Sequence, residues 1–554
     1  ELEQNDALEL ETSPPGPPIL ELEPPAPSPA RPAPLRIGGE LADPVAPPAA
    51  ADDNAGQGEG VGAPAPPPGD LDGTDPADPF RLATGFLLAR HWLPRADAAQ
   101  TLRHWGGRYY AWAHGAYDQL KEGVRSPLAE WIETDFRRSH VAALTVHKRN
   151  AEAGGPDKKP PAKLKVTRAT VSDAMQALDA LCRLPDSLTP PGWIGSGPPP
   201  AELVACRNGL VHVPSHLAGR PGAFIPATPR FVSCVRTEFD FDPKAPDPVE
   251  WLKFLDTVWH DDPDSIACLQ EWFGYLLTPD TSLHKMLMIV GPPRAGKGTI
   301  GRVLTAMVGA RNVASPSVGK LGDRFALSDL LDKSVGLFAD ARLSGRADAV
   351  QITEELLGIS GEDARTVDVK FKDPVTTTLR TRFVFLTNEL PRFGDSSGAI
   401  VSRFVFLKLS RTFAENPDLD LLARLLPELP GILLWALRGW ERLRARRTFT
   451  NPGSAQELRE DADALASPVK VWADECCELK ADEWETTAAL YESWKLWCER
   501  NGRDRPGAQA HFVRDMLAAL PTLTKKRTSE EGSRLHGYAG IRILSHYEAG
   551  TIPV

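Results

Sequence analysis

The stretch "KMLMIVGPPRAGKGTIGRVLTAMV", residues 285–308, decides the fold. An apolar run precedes Gly291, Gly296 and Lys297 in GxxxxGK spacing, and apolar residues at helical spacing follow. We expect a strand, a phosphate-binding loop (P-loop) and a helix. Glycines let backbone N–H groups approach phosphate oxygens, and a helix N-terminus presents the positive end of its dipole. The alternative is a turn that precedes a helix by coincidence.

The loop and the first helical turn predict a nucleotide site for ATP with Mg²⁺. The predicted nucleotide-binding residues are Gly291, Pro292, Pro293, Arg294, Ala295, Gly296, Lys297, Gly298 and Thr299. Lys297 is expected to bring its positive charge to the terminal phosphates. The position after this lysine holds Gly298, and the hydroxyl comes one place later. We therefore assign the side-chain oxygen for Mg²⁺ to Thr299.

Three more β-rich runs lie between residues 283 and 410, namely "SVGLFAD", "RFVFLTN" and "RFVFLKL". Continuous apolar strands that alternate with helical patterns predict a parallel sheet covered on both faces, and hence an α/β fold. The first of these runs ends at Asp340, which we expect to bind Mg²⁺ or to orient water. A carboxylate that only caps a turn is the alternative. Alanines flank Asp340 on both sides, so the general base stays unassigned.

Asn388 ends the second run, and Arg403 begins the third. A neutral amide at a strand end can position water against the γ-phosphate, although an isolated Asn is more often a turn residue. Ligands in open α/β sheets bind at the carboxyl edge, so Gly291, Asp340 and Asn388 should converge there. Arg403 should lie at the opposite edge, where it could reach a neighbouring subunit's phosphate. That assignment predicts a ring, and an unpartnered surface arginine is the alternative.

Charge is distributed unevenly along the chain. Residues 1–80 hold 16 acidic and 2 basic residues, and the rest of the chain has a net charge of +3. The same segment contains 19 of the 52 prolines. Such a composition cannot bury enough apolar surface to fold, so we predict a disordered, acidic, Pro/Ala-rich spacer. The acidity therefore belongs to the spacer, and the body of the chain is compatible with a nucleic-acid partner.

Other features narrow the class of protein. The seven cysteines form no CxxC pair, which argues against a disulfide framework or a zinc knuckle. No apolar run is long enough to span a membrane, and no secretory leader is visible. We therefore expect a cytoplasmic protein with no membrane partner. The chain begins at Glu1 and not at a methionine, which suggests a piece of something longer.

These motifs, in this order and spacing, resemble the superfamily 3 helicases, and specifically the phage and plasmid primase-helicases related to the poxvirus primase-helicase. The resemblance covers roughly residues 85–554. Five stretches carry it: "GPPRAGKGT", "LFADARLSGRAD", "LLGISGEDARTVDVKFKDP", "FVFLTNELPR" and "SRFVFLKL". The stretches "CRNGL" and "DFDPKAPDP" resemble the domain before the motor. The resemblance implies an ATP-hydrolysing homo-hexamer that translocates on single-stranded DNA and unwinds forked DNA, with a primase-polymerase domain upstream or on a separate chain.

The resemblance also implies a domain order. Residues 1–80 are the spacer, and 81–282 form the α+β and helical domain that precedes the helicase. Residues 283–446 form an AAA+-like P-loop NTPase domain with a parallel sheet. Residues 447–554 form a helical and winged-helix-like DNA-binding domain, because two helical patterns there are followed by two strand-like runs around a charged tip.

Candidate DNA contacts lie in two places. In the family, a hairpin between the Mg²⁺-binding strand and the sensor asparagine grips DNA, and this interval contains Arg365, Lys370 and Lys372. A lysine beside an aromatic residue suits both a phosphate and a base. In the tail, Lys525, Lys526 and Arg527 are expected to touch duplex phosphates. The alternatives are a β-edge protected by lysines and an ordinary solvated face.

Two further functions stay open at the level of sequence. The first is an ATP-binding replication initiator or loader without processive unwinding, because Asp340 lacks an adjacent second acid. The second is a small-molecule phosphotransferase, because "GKGT" also occurs in nucleoside monophosphate kinases. Such kinases are compact, whereas this chain devotes hundreds of residues to flanking regions.

Overall fold

The structure is a computed structural model that describes residues 75–93, 99–156, 159–185, 187–339, 346–370, 374–393, 395, 397–501, 506–530 and 533–544. The predicted spacer, residues 1–80, falls outside the described residues except for its last six positions. Among the described helices, none is both long and apolar enough to cross a membrane.

The first part of the chain combines helices with small antiparallel sheets. Its strands are β1 (Trp92–Leu93), β2 (Ala99–Gln100), β3 (Leu102–Trp105), β4 (Arg108–Ala113), β5 (Ala116–Gln119), β6 (Gly192–Trp193), β7 (Leu203–Cys206), β8 (Gly209–His212), β9 (Phe224–Pro226) and β10 (Phe231–Val232). Its helices are α1 (Pro79–Arg90), α2 (Arg125–Glu152), α3 (Arg168–Cys182), α4 (Val213–Leu217), α5 (Val249–Val258) and α6 (Pro263–Leu277). The strands β3, β4 and β5 form an antiparallel meander, in which short turns join neighbouring strands.

The middle of the chain contains a parallel sheet. Its strands are β11 (Met286–Val290), β12 (Val313–Ala314), β13 (Val335–Ala339), β16 (Arg382–Thr387) and β17 (Phe404–Lys408). Two further strands, β14 (Ala364–Val367) and β15 (Val375–Thr378), form a separate hairpin. Its helices are α7 (Lys297–Val308), α8 (Arg346–Ser360), α9 (Ala399–Ser402), α10 (Leu421–Leu425), α11 (Leu429–Arg446) and α12 (Gln456–Ala466). Within the described residues, five strands pair in the order β12-β13-β16-β11-β17, and every pairing is parallel. The predicted α/β fold with a parallel sheet is confirmed.

Helices cover both faces of this sheet, which explains why its strands are apolar throughout. Leu287 and Ile289 of β11 face a core shared with α5, α6, α7 and α11. Met286, Met288 and Val290 face a second core shared with α8 and α12. The predicted boundaries at 282 and 446 therefore fall between elements that share a core, and the division into domains stays a prediction.

The tail has its own core of aromatic and aliphatic side chains. Its elements are α13 (Pro468–Cys476), β18 (Cys477–Glu478), β19 (Trp484–Thr486), α14 (Thr487–Arg500), α15 (Gln509–Ala519), β20 (Thr524–Glu530), β21 (Ser533–Ala539) and β22 (Arg542–Ile543). Trp472, Trp494 and Phe512 pack together where the three helices meet. The antiparallel sheet β19-β21-β20 adds one strand to the two expected from the sequence.

Candidate functional site

The glycine-rich loop, residues 291–296, connects β11 to α7 at the carboxyl edge of the parallel sheet. A Cβ added at Gly291 would lie 2.5 Å from the carbonyl oxygen of Leu409, so no side chain fits there. Gly296 has a φ of +98°, a left-handed conformation that favours glycine, and it precedes the first residue of α7. No described side chain caps this helix, which leaves its first N–H groups for an anion.

The segment that follows β17 runs along this loop and is hydrogen-bonded to it. The N–H of Leu409 donates to the carbonyl of Val290 at 2.8 Å. Further along, the hydroxyl of Thr412 donates to Pro293 O at 2.9 Å, and the N–H of Phe413 donates to Arg294 O at 3.0 Å. We call residues 409–413 the strap, because it fixes the outer side of the loop.

Lys297 is half-buried and turns back into the loop. Its Nζ donates to the carbonyl oxygens of Gly291 at 2.6 Å and Pro292 at 2.7 Å. A positive charge is therefore held among backbone carbonyls at the N-terminus of a helix, where a negatively charged ligand is stabilised. Phosphate oxygens could replace these carbonyls as partners of the ammonium group.

Thr299 lies in the first turn of α7, as predicted. Its Oγ1 accepts a hydrogen bond from Arg302 Nη2 at 3.4 Å, which is long for such a contact. Within the described residues, no group of three or more His, Cys, Asp or Glu side chains could hold a metal ion. A Mg²⁺ ion that arrives with a nucleotide takes many of its ligands from phosphate and water, so this hydroxyl fits the role without such a group.

The strand that ends before Asn388 lies directly beside the loop. In the β11–β16 pairing, Val290 is opposite Thr387. The N–H of Gly291 then donates to the carbonyl oxygen of Thr387 at 3.3 Å. Asn388 is the next residue and is exposed at this same edge of the sheet. The structure therefore brings two of the three predicted strand ends, Gly291 and Asn388, together.

The third strand end is β13. Ala339, its last residue, is opposite Leu386 of β16, so β13 ends at the same edge. Asp340 follows Ala339 and lies outside the described residues. The roles assigned to Asp340 stay predictions.

Arg403 lies at the opposite, amino edge, as expected for a parallel strand. Its carbonyl oxygen accepts a hydrogen bond from Met286 N at 2.8 Å, one residue before β17 begins. Lys285 lies nearby and donates from its Nζ to Ser402 O. Burial lowers the pKa of Lys285, and the charges of Arg459 and Arg403 lower it further. This edge therefore presents a cluster of cations, and the role of Arg403 toward a neighbouring subunit stays a prediction.

The predicted DNA-binding interval folds as the antiparallel hairpin β14–β15. Arg365 points toward α8, where its Nη2 donates to Glu354 O at 3.1 Å and its Nη1 lies 3.8 Å from a carboxylate oxygen of Glu355. This position braces the hairpin, and DNA binding by Arg365 stays a prediction. Lys370 is exposed between the two strands, and Lys372 lies outside the described residues.

The basic residues of the tail lie on one strand. Lys525, Lys526 and Arg527 are exposed on β20. Lys526 Nζ lies 5.5 Å from the centre of the Trp484 ring, a cation–π contact. Because side chains alternate along a strand, Lys525 and Arg527 share one face of the sheet and Lys526 lies on the other. Their contact with DNA stays a prediction.

Sequence reasoning missed a cleft beside the first turn of α7. Its walls include Phe254 and Thr257 of α5, Arg302 of α7, and Phe413 and Leu421 from the chain beyond β17. Phe254 also borders the loop, because a Cβ added at Gly296 would lie 3.2 Å from its ring. No local signal marks these residues, because the cleft forms only when three distant segments meet.

Comparison with known proteins gives two findings. Residues 289–403 match a family described as a family of unknown function, DUF5906. An A form apo structure of the NrS-1 C-terminal region is 13% identical over 78% of this chain and 94% of that chain, with a TM-score of 0.38. An A form apo structure of its residues 305–718 is 11% identical over 84% and 100%, with a TM-score of 0.43. An apo structure of the same region is 10% identical over 84% and 99%, with a TM-score of 0.40. At these values the likeness carries no argument about function.

Proposed function

We propose that this chain is an ATP-dependent DNA helicase that unwinds DNA during replication of a phage, plasmid or integrated element, and that it acts as a ring of six subunits. One observation carries the proposal: Gly291 N–H donates to Thr387 O at 3.3 Å, which sets the loop beside the strand that leads to Asn388. A glycine-rich loop alone would suit many nucleotide-binding proteins. An amide on the adjacent strand end supplies a group that can orient water, which hydrolysis requires.

In this proposal, the loop binds the phosphates of ATP. Its backbone N–H groups and the N-terminus of α7 receive the negative charge, and Lys297 exchanges two carbonyl partners for phosphate oxygens. Thr299 and Asp340 would hold Mg²⁺, which when bound neutralises charge on the phosphates. The cleft at Phe254 and Phe413 would take the rest of the nucleotide, because it begins at the loop and is partly apolar.

Hydrolysis would depend on groups from both edges of the sheet. Asn388 would hold the attacking water at the carboxyl edge. Arg403 of one subunit would approach the phosphates bound by the next subunit, because it lies at the amino edge and cannot reach its own loop. An ATP site completed by the adjacent protomer implies a head-to-tail interface, which gives a ring when its rotation closes.

Contacts with DNA would come from two basic surfaces. The hairpin β14–β15 would hold a single strand through Lys370 and Lys372. The tail would act as a winged helix. The order of its helices and the hairpin β20–β21 that follows α15 support this assignment. Lys525, Lys526 and Arg527 on that hairpin would contact duplex phosphates.

ATP hydrolysis and strand displacement on forked DNA test this proposal. We expect DNA to stimulate hydrolysis by the wild-type protein, and we expect Lys297→Ala to lose hydrolysis and displacement while it retains DNA binding. Lys244→Ala, a change at an exposed lysine of another segment, is the matched control.

Each alternative function predicts a different outcome. A loader would bind ATP and DNA without displacing a strand, and a phosphotransferase would consume ATP at a rate independent of DNA. Equal displacement by wild type and Lys297→Ala would overturn the helicase proposal. Electron micrographs with an ATP analogue and forked DNA should show rings, and monomers under those conditions would contradict the role given to Arg403.

A further inference from the structure

The long helix α2 is supported only along its first half. It runs over 28 residues, and its buried residues are Leu128, Ile132 and Phe136, which pack against α1 and α3. From Arg137 to Glu152, no residue of α2 is buried. Val141 and Val146 are 58% and 54% exposed. About 24 Å of helix, at 1.5 Å per residue, therefore lies outside the hydrophobic core.

The projecting half of α2 and the chain that returns along it are rich in positive charge. We call residues 137–156 and 159–168 the basic arm. It holds eight basic residues and one acidic residue: Arg137, Arg138, Lys148, Arg149, Lys159, Lys163, Lys165 and Arg168, with Glu152. Its net charge of +7 exceeds the +3 of the whole chain after residue 80. The excess of positive charge after residue 80 therefore lies mainly in the arm.

Few of these charges are neutralised within the protein. Glu133 accepts hydrogen bonds from Lys163 at 3.3 Å and Arg137 at 3.4 Å, and these contacts hold the pKa of Glu133 below its usual range. Arg138, Lys148 and Arg149 form no ion pair with any described residue. Within the described part of the chain, these three cations are therefore available to an external anion.

The spacing of these cations suits a rigid, regularly charged partner. Arg138 and Arg149 are eleven residues apart, which places them on one line of the helix about 16 Å apart. Arg137 and Lys148 are related in the same way. A duplex presents phosphates in fixed rows, which such a line of cations can contact at more than one point.

The arm lacks the large aromatic side chains on which the bases of single strands commonly stack. Sites for single-stranded DNA combine cations with aromatic side chains on which bases stack. Residues 137–168 contain no Phe, Trp or Tyr. We propose that the basic arm binds the phosphate backbone of duplex DNA, independently of base sequence. This surface is separate from the hairpin and the tail, and the choice of DNA as the polyanion rests on the proposed function.

Duplex binding by the full-length chain tests the arm. The variant Arg138→Glu/Lys148→Glu/Arg149→Glu changes only exposed side chains, and Arg220→Glu/Lys244→Glu/Arg438→Glu is the matched control elsewhere. Fluorescence anisotropy would give the Kd for a labelled duplex and for a single strand between about 50 and 200 mM salt. Each lost phosphate contact lowers the slope of log K against log salt by about 0.9, so the arm variant should lose about 2 to 3.

We expect the arm variant to weaken duplex binding about 10- to 100-fold at low salt and to weaken single-strand binding clearly less, because a flexible single strand lacks the fixed rows of phosphates. The control variant should match wild type on both. Unchanged duplex affinity in the arm variant overturns the proposal and favours an acidic protein as the partner. An equal loss on both DNAs also overturns it.

ATP hydrolysis in the absence of DNA keeps this test separate from the proposed function. The arm variant should retain the wild-type rate, because the arm contacts no part of the glycine-rich loop. If wild type hydrolyses no ATP, the helicase proposal fails while the duplex-binding result still decides the arm.

Discussion

The glycine-rich loop and the basic arm both present cations that could receive an anion, but they hold them in opposite ways. Lys297 is half-buried, and two carbonyl oxygens at 2.6 and 2.7 Å fix its ammonium group. Arg138, Lys148 and Arg149 are exposed on a helix that buries nothing around them. The loop is pre-organised for one small anion, whereas the arm offers a charged surface that adapts to a long one.

This difference predicts how ligand binding at each region depends on salt concentration. A buried cation acts through geometry, so its effect on binding should change little with salt. An exposed row of cations acts through counterion release, so salt should control it.

Lys297→Ala should give the largest effect. We expect ATP turnover to fall about 100-fold or more, because the variant removes a preorganised charge beside the phosphates. The salt slope for duplex DNA should stay that of wild type, since the arm is intact. Steady-state hydrolysis and anisotropy on the same preparations would measure both. A changed slope would show that the loop and the arm are not independent.

Gly291→Ala should have the next largest effect. An added Cβ would lie 2.5 Å from Leu409 O and 2.6 Å from Leu409 Cβ, so the loop and the strap must shift apart. We expect ATP affinity to fall about tenfold and the free energy of unfolding to fall by about 1 to 3 kcal/mol. Calorimetric titration and chemical unfolding would measure these changes.

Gly453→Ala is the matched control for that prediction, because its added Cβ would meet nothing within 4 Å. It should change ATP affinity by less than about twofold and stability by about 0.5 kcal/mol or less. If Gly291→Ala behaves like Gly453→Ala, the close approach of the strap does not shape the loop.

Arg149→Gln should have a smaller effect, confined to DNA. One lost phosphate contact should lower the salt slope by about 0.9 and weaken duplex binding by a few-fold. ATP turnover without DNA should be unchanged. Anisotropy across a salt series would measure the slope, and a loss of affinity that is the same at every salt concentration would contradict a backbone contact.

Asp332 provides a third case, a half-buried carboxyl group between two parts of the chain. Its carboxylate accepts a hydrogen bond from Tyr110 Oη at 2.8 Å, and burial raises its pKa despite that bond and the nearby positive charges. A raised folded-state pKa of an acid means that its contribution to stability is present at low pH and is lost as pH rises through that pKa.

Asp332→Asn should therefore stabilise the protein more at neutral pH than at acidic pH. Asn tolerates the left-handed backbone at this position, where φ is +62°, and its amide oxygen can still accept from Tyr110. We expect a gain of about 1 kcal/mol near pH 7 that shrinks toward pH 4. Thermal unfolding across that range would measure it. A gain that grows toward low pH would contradict the raised pKa.

The sequence predicted the sheet and much of the loop because their signals are local. Apolar runs located β11, β13, β16 and β17, and the GxxxxGK spacing located the residues around Gly291 and Lys297. The strand β12 was missed because two residues, Val313 and Ala314, give no periodicity. The length of helix α2, which runs to Glu152, was also not predicted, and its second half buries no residue.

Contacts between distant segments could not be predicted. Tyr110 and Asp332 are 222 positions apart, and no pattern pairs them. The carbonyl partners of Lys297 follow from how the loop closes, not from its residue types. Arg365 has the charge expected of a DNA contact, but its guanidinium contacts α8. Sequence alone does not show which of these contacts the side chain makes, because that depends on how the hairpin packs.

The strap has a mechanical consequence. Its three hydrogen bonds to Val290, Pro293 and Arg294 tie the outer side of the loop to the chain that continues into α10 and α11. A ligand that shifted the backbone of this loop would therefore move the strap as well, unless those bonds broke. Because the chain beyond the strap continues into α11, which packs against α6, such a shift would reach that helix pair without a separate hinge.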